Sequence, residues 1–374
     1  MNNAPVVRLL VNGMDYNGWK SVRITMGIER TTRDFSLDVT DKWPGDVAVV
    51  NRIKPGDLCE LYVDFEKILT GYVDATPISY DSSSCSISIR GRSKTADLVD
   101  CSAISKPAQW KNQSLTRIAQ ELAAPYGVKV IAKADVGRPF TDHQIQQGES
   151  VFESIDRMLA QRQLLATDDA EGNLVFTTAG LEGTATPLRL GEPNGNILNG
   201  SAELDFKDRF SEYICKGQMA GDDSQYGAAT NQTISSLADS TVKRRRVMVV
   251  KQSGQADEGT CRDRVNYERA SRRTQSLMAT YTVPGWRQID GKLWLPNFLV
   301  QVDDEIIGFT RQMLISEVTY ELSDAGMLTT LRVGPPEGFI AEPNKSKKKK
   351  KGKKAGGDSW SSLELSDDED DGDE

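Results

Sequence analysis

The stretch Cys85-Ser86-Ile87-Ser88-Ile89-Arg90, closed by Gly91, alternates polar and apolar residues with the two-residue period of a strand that buries one face. The same pattern recurs toward the N-terminus. Val22-Arg23-Ile24-Thr25-Met26 and Phe35-Ser36-Leu37-Asp38-Val39-Thr40 repeat it, and Val7-Arg8-Leu9-Leu10-Val11 ends at the turn pair Asn12-Gly13. Runs at 58–65 and 68–80 follow, with Glu66-Lys67 predicted as the tight turn between them. Roughly six short strands at this spacing predict a small antiparallel barrel or sandwich, expected over residues 1–104.

Beyond it the period changes. Ser114 is placed to cap a helix whose apolar residues Leu115, Ile118, Ala119, Leu122 and Ala123 recur at three and four, and Pro125 stops it. A short strand is expected at 128–132. Ser150 and Glu153 form a capping-box pattern ahead of Val151, Phe152, Ile155, Met158 and Leu159. A strand pair, 164–167 and 174–178, turns through Glu171-Gly172-Asn173. Residues 105–184 are therefore expected to form a small inserted α/β module.

From Pro187 strands return, at 202–206, 212–216, 246–250, 277–283, 299–302, 312–322 and 328–333, interrupted by one polar helix near 257–273. This predicts a second barrel-like domain over 185–343. After Pro343 the composition collapses into eight lysines within 345–354 and nine acids within 358–374. Such blocks bury too little apolar area to offset ordering entropy, so 344–374 is predicted to be disordered. The expected fold class is mainly β with an α+β insertion: two antiparallel β-barrel-like domains, a small inserted α/β module and a disordered charged tail.

Composition excludes several function classes. No apolar run in the 374 residues approaches the ~18 residues of a membrane span, and the N-terminus lacks a secretory pattern. The net charge of −8 argues against a nucleic-acid binder that works by bulk charge. Residues 1–344 hold 38 basic and 45 acidic residues, so the tail does not create this acidity. His143 is the sole histidine, which disfavours triads and histidine metal sites. Five cysteines without a CxxC pair suit reduced, mostly buried thiols in a cytosolic setting.

Local motifs read as structural. Gly91-Arg92-Ser93-Lys94-Thr95 lacks the first glycine of a phosphate loop, and Gly191–Gly200 misses dinucleotide spacing and reads as a loop between strands. Asp168-Asp169 and Asp303-Asp304-Glu305 read as solvated turn residues, and His143 as a residue of a polar connection. Lys243-Arg244-Arg245-Arg246 runs into Val247-Met248-Val249-Val250. It is read either as a charged edge strand or as a contact for an acidic partner. The lysine block has the composition of a nucleic-acid patch, but the acids behind it nearly neutralise it, and a solubilising or self-screening tail is expected.

Two further stretches carry a resemblance. One is Leu69-Thr70-Gly71-Tyr72-Val73-Asp74 with Ser86–Ser102; the other is Tyr281-Thr282-Val283-Pro284-Gly285-Trp286-Arg287 with Leu293-Trp294-Leu295-Pro296-Asn297, Val302-Asp303-Asp304 and Leu314-Ile315-Ser316-Glu317-Val318. Together, over roughly 5–340, the chain resembles the central baseplate hub proteins of Mu-like contractile-tail phages, the late-control tail protein group. The resemblance implies a homotrimer in which two barrel-like domains per chain make a pseudo-sixfold ring. The implied partners are the spike, the tail tube and other baseplate proteins, within the virion and, during assembly, the host cytoplasm. It implies no enzymatic activity, cofactor, metal or small-molecule substrate, no specific nucleic-acid binding, and only indirect membrane contact. The charged tail matches no motif of that group.

Within this frame Gly71 and Gly91 are expected where a strand bends or another backbone comes close. Asp97 and Asp100 suit a short helical turn closing the first barrel. Trp286, Trp294 and Phe298 are expected as anchors, at a ring interface or inside the second barrel. With Lys243, Arg244, Arg245 and Arg246, Trp286 and Trp294 make up the candidate interface. The enzyme alternative is a cell-wall-degrading hub using Glu149 or Glu153; a further one is the equivalent hub of a contractile secretion system or headless tail particle.

Overall fold

The structure, a computed structural model, describes residues 6–41, 53–80, 85–180, 182–191, 193–217, 233–252 and 258–340. The lysine and acid blocks lie outside the described residues. The first β region comprises β1 (Val7–Val11), β2 (Met14–Tyr16), β3 (Ser21–Gly27), β4 (Asp34–Asp41), β5 (Leu58–Val63), β6 (Glu66–Ala75), β7 (Ile78–Tyr80) and β8 (Cys85–Ser93). Burial follows the alternation that predicted it: Val7, Leu9 and Val11 of β1 are buried while Arg8 and Leu10 are not. α1 (Ala96–Asp100) follows β8, and its buried Leu98 packs with the apolar residues of the inserted module and not with the first β region that it was expected to close.

The inserted module contains β9 (Gln109–Gln113), α2 (Leu115–Ala123), β10 (Val130–Ala132), β11 (Phe140–Gln144), α3 (Val151–Arg162), β12 (Leu165–Asp168) and β13 (Leu174–Thr177). The capping predictions hold in detail. Ser114 Oγ accepts from Arg117 N, and Ser150 with Glu153 closes a full capping box. The apolar residues named for both helices form their own cluster with Trp110, Phe140, Leu174 and Phe176.

The chain continues through β14 (Glu182–Gly183), β15 (Leu188–Arg189), β16 (Asn199–Ala202), β17 (Glu212–Gly217), β18 (Thr233–Ala238), β19 (Val247–Gln252), α4 (Glu258–Gln275), β20 (Ala279–Pro284), β21 (Phe298–Asp304), β22 (Phe309–Ser323) and β23 (Gly326–Gly334). The two β regions join edge to edge. One 15-stranded sheet runs β16-β20-β23-β22-β3-β4-β8-β6-β5-β1-β2, with β14, β15, β21 and β7 paired off this path. A single apolar cluster underlies it, from Val7 and Leu9 to Leu331 and Val333.

The weld is made by β22. Its first part pairs β21 from Leu314↔Leu299 to Phe309↔Asp304, and its second part pairs β3 from Glu317↔Gly27 to Leu322↔Val22. Its ladder with β23 shifts register between Ile315 and Glu317, and the Ser316 carbonyl there accepts from Ile28 N at 2.9 Å. A bulge bends the strand and sharpens its twist, which lets one strand serve two neighbours in succession.

Several boundaries differ from expectation. The β5–β6 turn is Asp64-Phe65, with Asp64 at φ 55°, while Glu66 and Lys67 pair with Val63 and Tyr62. The strand expected at 68–80 is cut near Pro77, which cannot donate to a ladder. The strand expected at 202–206 instead covers Asn199–Ala202. The polar helix does not interrupt a barrel. α4 lies on a separate three-stranded sheet, β18-β17-β19, with Tyr213, Cys215, Val250, Cys261 and Val265 between them. Not every pairing is antiparallel: β17–β19, β10–β13, and β14 and β15 with β21 run parallel.

The glycine expectation holds. A Cβ on Gly71 would stand 2.7 Å from the Arg92 carbonyl carbon, and one on Gly91 2.6 Å from the Phe35 ring. Neighbouring backbone passes too close for any side chain. Cys59, Cys215 and Cys261 are buried and Cys101 is half-buried, and Cys215 Sγ lies 2.9 Å from Cys261 Sγ.

Candidate assembly site

Buried polar side chains join the inserted module to the β regions. Arg33, between β3 and β4, ties the inserted module to the first β region. Its main-chain N donates to Asp168 Oδ2 at 3.0 Å, Nε to Asp168 Oδ1 at 3.2 Å, Nη2 to the Asp168 carbonyl at 3.0 Å and Nη1 to the Ile68 carbonyl at 2.6 Å. Asp168 is buried, contrary to its reading as a solvated turn residue. Burial pushes its carboxyl pKa up, and the adjacent Arg33 guanidinium pulls against that. Thr167 Oγ1 donates to Gly27 O, Thr70 Oγ1 to Ala170 O, and Lys67 Nζ to Glu171, all near 3 Å. Gly172 at φ 73° lets the β12–β13 turn lie against Thr70 O. Beside this joint a cavity of about 230 Å³, lined by Arg33, Asp168, Lys133 and Asn297 among others, marks where the module meets both β regions.

A second joint links the sheet's halves at their loops. Arg287 Nη2 donates to Asp64 at 2.8 Å and its Nη1 to Glu66 at 2.5 Å. This clamp straddles Phe65, which is 94% exposed, and lies two residues from Ile289, which is 86% exposed. Sequence reasoning missed Arg33, Asp168 and Arg287. Their signal, a charged residue flanking a strand, is the same one carried by ordinary solvated turns.

Of the candidate interface residues, Trp286 and Trp294 are each 2% exposed. Trp286 stacks on Tyr320 with ring centroids 5.3 Å apart and donates to the carbonyls of Glu321 and Leu328. The Tyr320 hydroxyl donates to the Trp294 carbonyl, and burial raises its pKa. Both tryptophans are core anchors of the second β region, which removes them from the free surface. Phe298 is half-buried on β21.

Lys243, Arg244 and Arg245 are exposed and precede β19, so they are a loop approach to the strand and not part of its ladder. Arg246 differs from them. It is half-buried, donates through Nε to Arg209 O at 2.8 Å, and lies over Phe210 at 5.1 Å. Its job is to hold the strand's start against the β17–α4 layer.

The residues weighed for catalysis are occupied structurally. Glu149 is buried and accepts from Gln146 N at 2.7 Å and Arg157 at 2.9 Å. Glu153 accepts from Ser150 N at 2.9 Å as half of the capping box. His143 lies on strand β11, not in a loop, and is buried, with Nε2 2.9 Å from Ser154 Oγ. Burial, with Arg157 nearby, pushes its pKa down to about 4. Asp304 is buried and accepts from Ile306 N and Ile307 N, while Asp303 faces Arg189 at 4.0 Å. Gly91–Ser93 is strand, with Arg92 paired to Asp74 and Asp100.

Three protein-family profiles match the chain: "Mu phage baseplate assembly protein GpP-like, N-terminal" over residues 6–93, "Baseplate hub protein gp44-like, second domain" over 95–178, and "Mu phage baseplate assembly protein GpP, fourth domain" over 258–342. The baseplate hub protein gp44 of Escherichia phage Mu is 34% identical over 356 residues, 92% of each chain. The crystal structure of a 43 kDa tail protein of prophage MuSo2 from Shewanella oneidensis is similar at a TM-score of 0.81 and 35% identity, covering 90% of this chain and 99% of that one. A tail protein of Neisseria meningitidis MC58 shares the fold at a TM-score of 0.75 and 23% identity, covering 91% and 99%. A mainly antiparallel β chain whose polar residues serve joints, matched along its length by tail proteins, belongs to the Mu-like phage baseplate hub family.

Proposed function

We propose that the chain assembles as a homotrimer at the centre of the baseplate, where it joins a trimeric spike to the hexameric tail tube and supports tail assembly in the host cytoplasm. The observation that carries this reading is the edge-to-edge weld of two sequence-distant β regions through β3 and β22. One chain then holds two β faces in fixed relation, so three chains offer six, which adapts threefold to sixfold symmetry. The inserted module is fixed to the first β region through Arg33 and Asp168, so it would move with that ring as one piece. The domain division 1–104, 105–184 and 185–343 serves this reading, with 203–275 as a small unit appended to the last.

The role proposed is structural and not enzymatic. Glu149 and Glu153 are committed to Arg157 and to a helix cap, which leaves neither poised against a substrate. Light-scattering mass measurement across a dilution series tests the assembly: a trimer is expected, and a stable monomer throughout contradicts it. A zymogram on purified cell wall tests the second statement. No clearing is expected; clearing lost in Glu149→Gln overturns it.

A further inference from the structure

Among the described residues, the small unit of β17, β18, β19 and α4 has one covered face and one open face. α4 covers Tyr213, Cys215 and Val250. The strand period of two turns the intervening residues the other way. There Ile214 lies in register between Val249 and Ser236, and Glu212 between Val247 and Ala238. Val249 is 52% exposed at the centre of this strip.

Cations bound the strip at both ends. Lys216 and Lys251, both exposed, pair across the ladder at one end. At the other stand the exposed Lys243, Arg244 and Arg245. They lie on the loop that leads into Val247, whose side chain belongs to the open side.

The rest of the chain has the opposite charge. Residues 203–275 carry 13 basic and 11 acidic residues, while the remainder of 1–344 carries 25 basic and 34 acidic, a net −9. That remainder also presents apolar tips beside acids. Phe65 stands between Asp64 and Glu66, which Arg287 already engages, and Ile306, 85% exposed, follows the exposed Glu305.

We propose that the open face of this unit docks on the acidic β body of a second copy of the chain, apolar strip against apolar tip and cations against carboxylates. The contact rests on the trimeric reading above and supplies it with an interface. Complementary charge would set orientation and speed encounter, and the apolar centre would supply most of the affinity.

Cross-linking tests it on the unaltered full chain. Equal amounts of ¹⁴N- and ¹⁵N-labelled protein are mixed and treated with a zero-length carbodiimide, which couples amines to carboxylates in contact. Mixed-isotope cross-links from Lys216, Lys243 or Lys251 to carboxylates within 6–202 or 276–340 are expected. Cross-links confined to one chain, or reaching only the acids of 358–374, overturn the proposal. In parallel, Val249→Asp combined with Lys243→Glu, Arg244→Glu and Arg245→Glu is expected to weaken self-association at least about tenfold, with the thermal transition unchanged. Association that survives these changes overturns the docking face and leaves the trimer standing, whereas a wild-type chain that never associates removes the trimer itself.

Discussion

At the residue scale, polar side chains that look like surface decoration act as joints. Arg33 and Asp168 form an ion pair with 13% and 1% side-chain exposure. Removing one partner of such a pair leaves the other charge buried and costs about 3–5 kcal/mol. Asp168→Ala is therefore expected to lower stability by that amount in chemical denaturation, and an Arg33→Met, Asp168→Leu double variant to recover part of it. His143 gives the chain a pH dependence with a definite sign. Its pKa is about 4 when folded and about 6.5 when unfolded, so the unfolded chain binds the proton more readily. The neutral form is packed against Ser154 and Trp110, between Arg157, Glu149 and Asp142. Stability is full above about pH 6.5 and falls through the window down to pH 4, approaching a loss of about 3 kcal/mol. Denaturation at pH 7 and pH 4.5 should show this, and His143→Gln should flatten it. Gly91→Ala, which drives a methyl into the Phe35 ring, is expected to cost about 1–3 kcal/mol as a lower thermal midpoint.

At the element scale, local code was legible and long-range pairing was not. The caps at Ser114 and Ser150 and the burial alternation of β1 are written in residues at most four apart, and the structure reproduces them. The Asp64-Phe65 turn escaped because an exposed Phe and an Asp in the left-handed region carry no glycine signal. The β3–β22 weld joins residues about 300 apart, for which alternation specifies a buried face but no neighbour. The same limit hid the assignment of α4 to its own sheet, since an amphipathic helix does not name the surface it covers. Trp286 and Trp294, expected as anchors at an interface or in the core, face inward, where Tyr320 and the β22–β23 backbone hold them. Deleting Ser316 tests the bulge. Its deletion leaves Ile315 opposite Val333 and Val318 opposite Leu331 with their faces unchanged, but it removes the bulge and the carbonyl that accepts from Ile28 N, so a lower thermal midpoint is expected, whereas Ser316→Ala, which loses only its bond to Arg332 O, should change the midpoint little.

At the scale of the whole molecule, one core and one sheet make the two β regions a single rigid body with a braced module. Rigidity of this kind suits the hub role proposed above. The clamp of Arg287 on Asp64 and Glu66 contributes modestly, since each partner is about a third or more exposed. Arg287→Ala is expected to leave the fold intact and to raise amide exchange locally at 64–66. In the proposed trimer, the charge asymmetry between 203–275 and the rest would give such a body a direction in which to self-associate. The central claim is that three chains, each offering two β faces, close into one ring. Electron cryomicroscopy of the purified protein tests this most directly: the account predicts a threefold particle whose inner wall shows six similar β lobes, and a monomer, or a ring whose lobes number other than six, would contradict it.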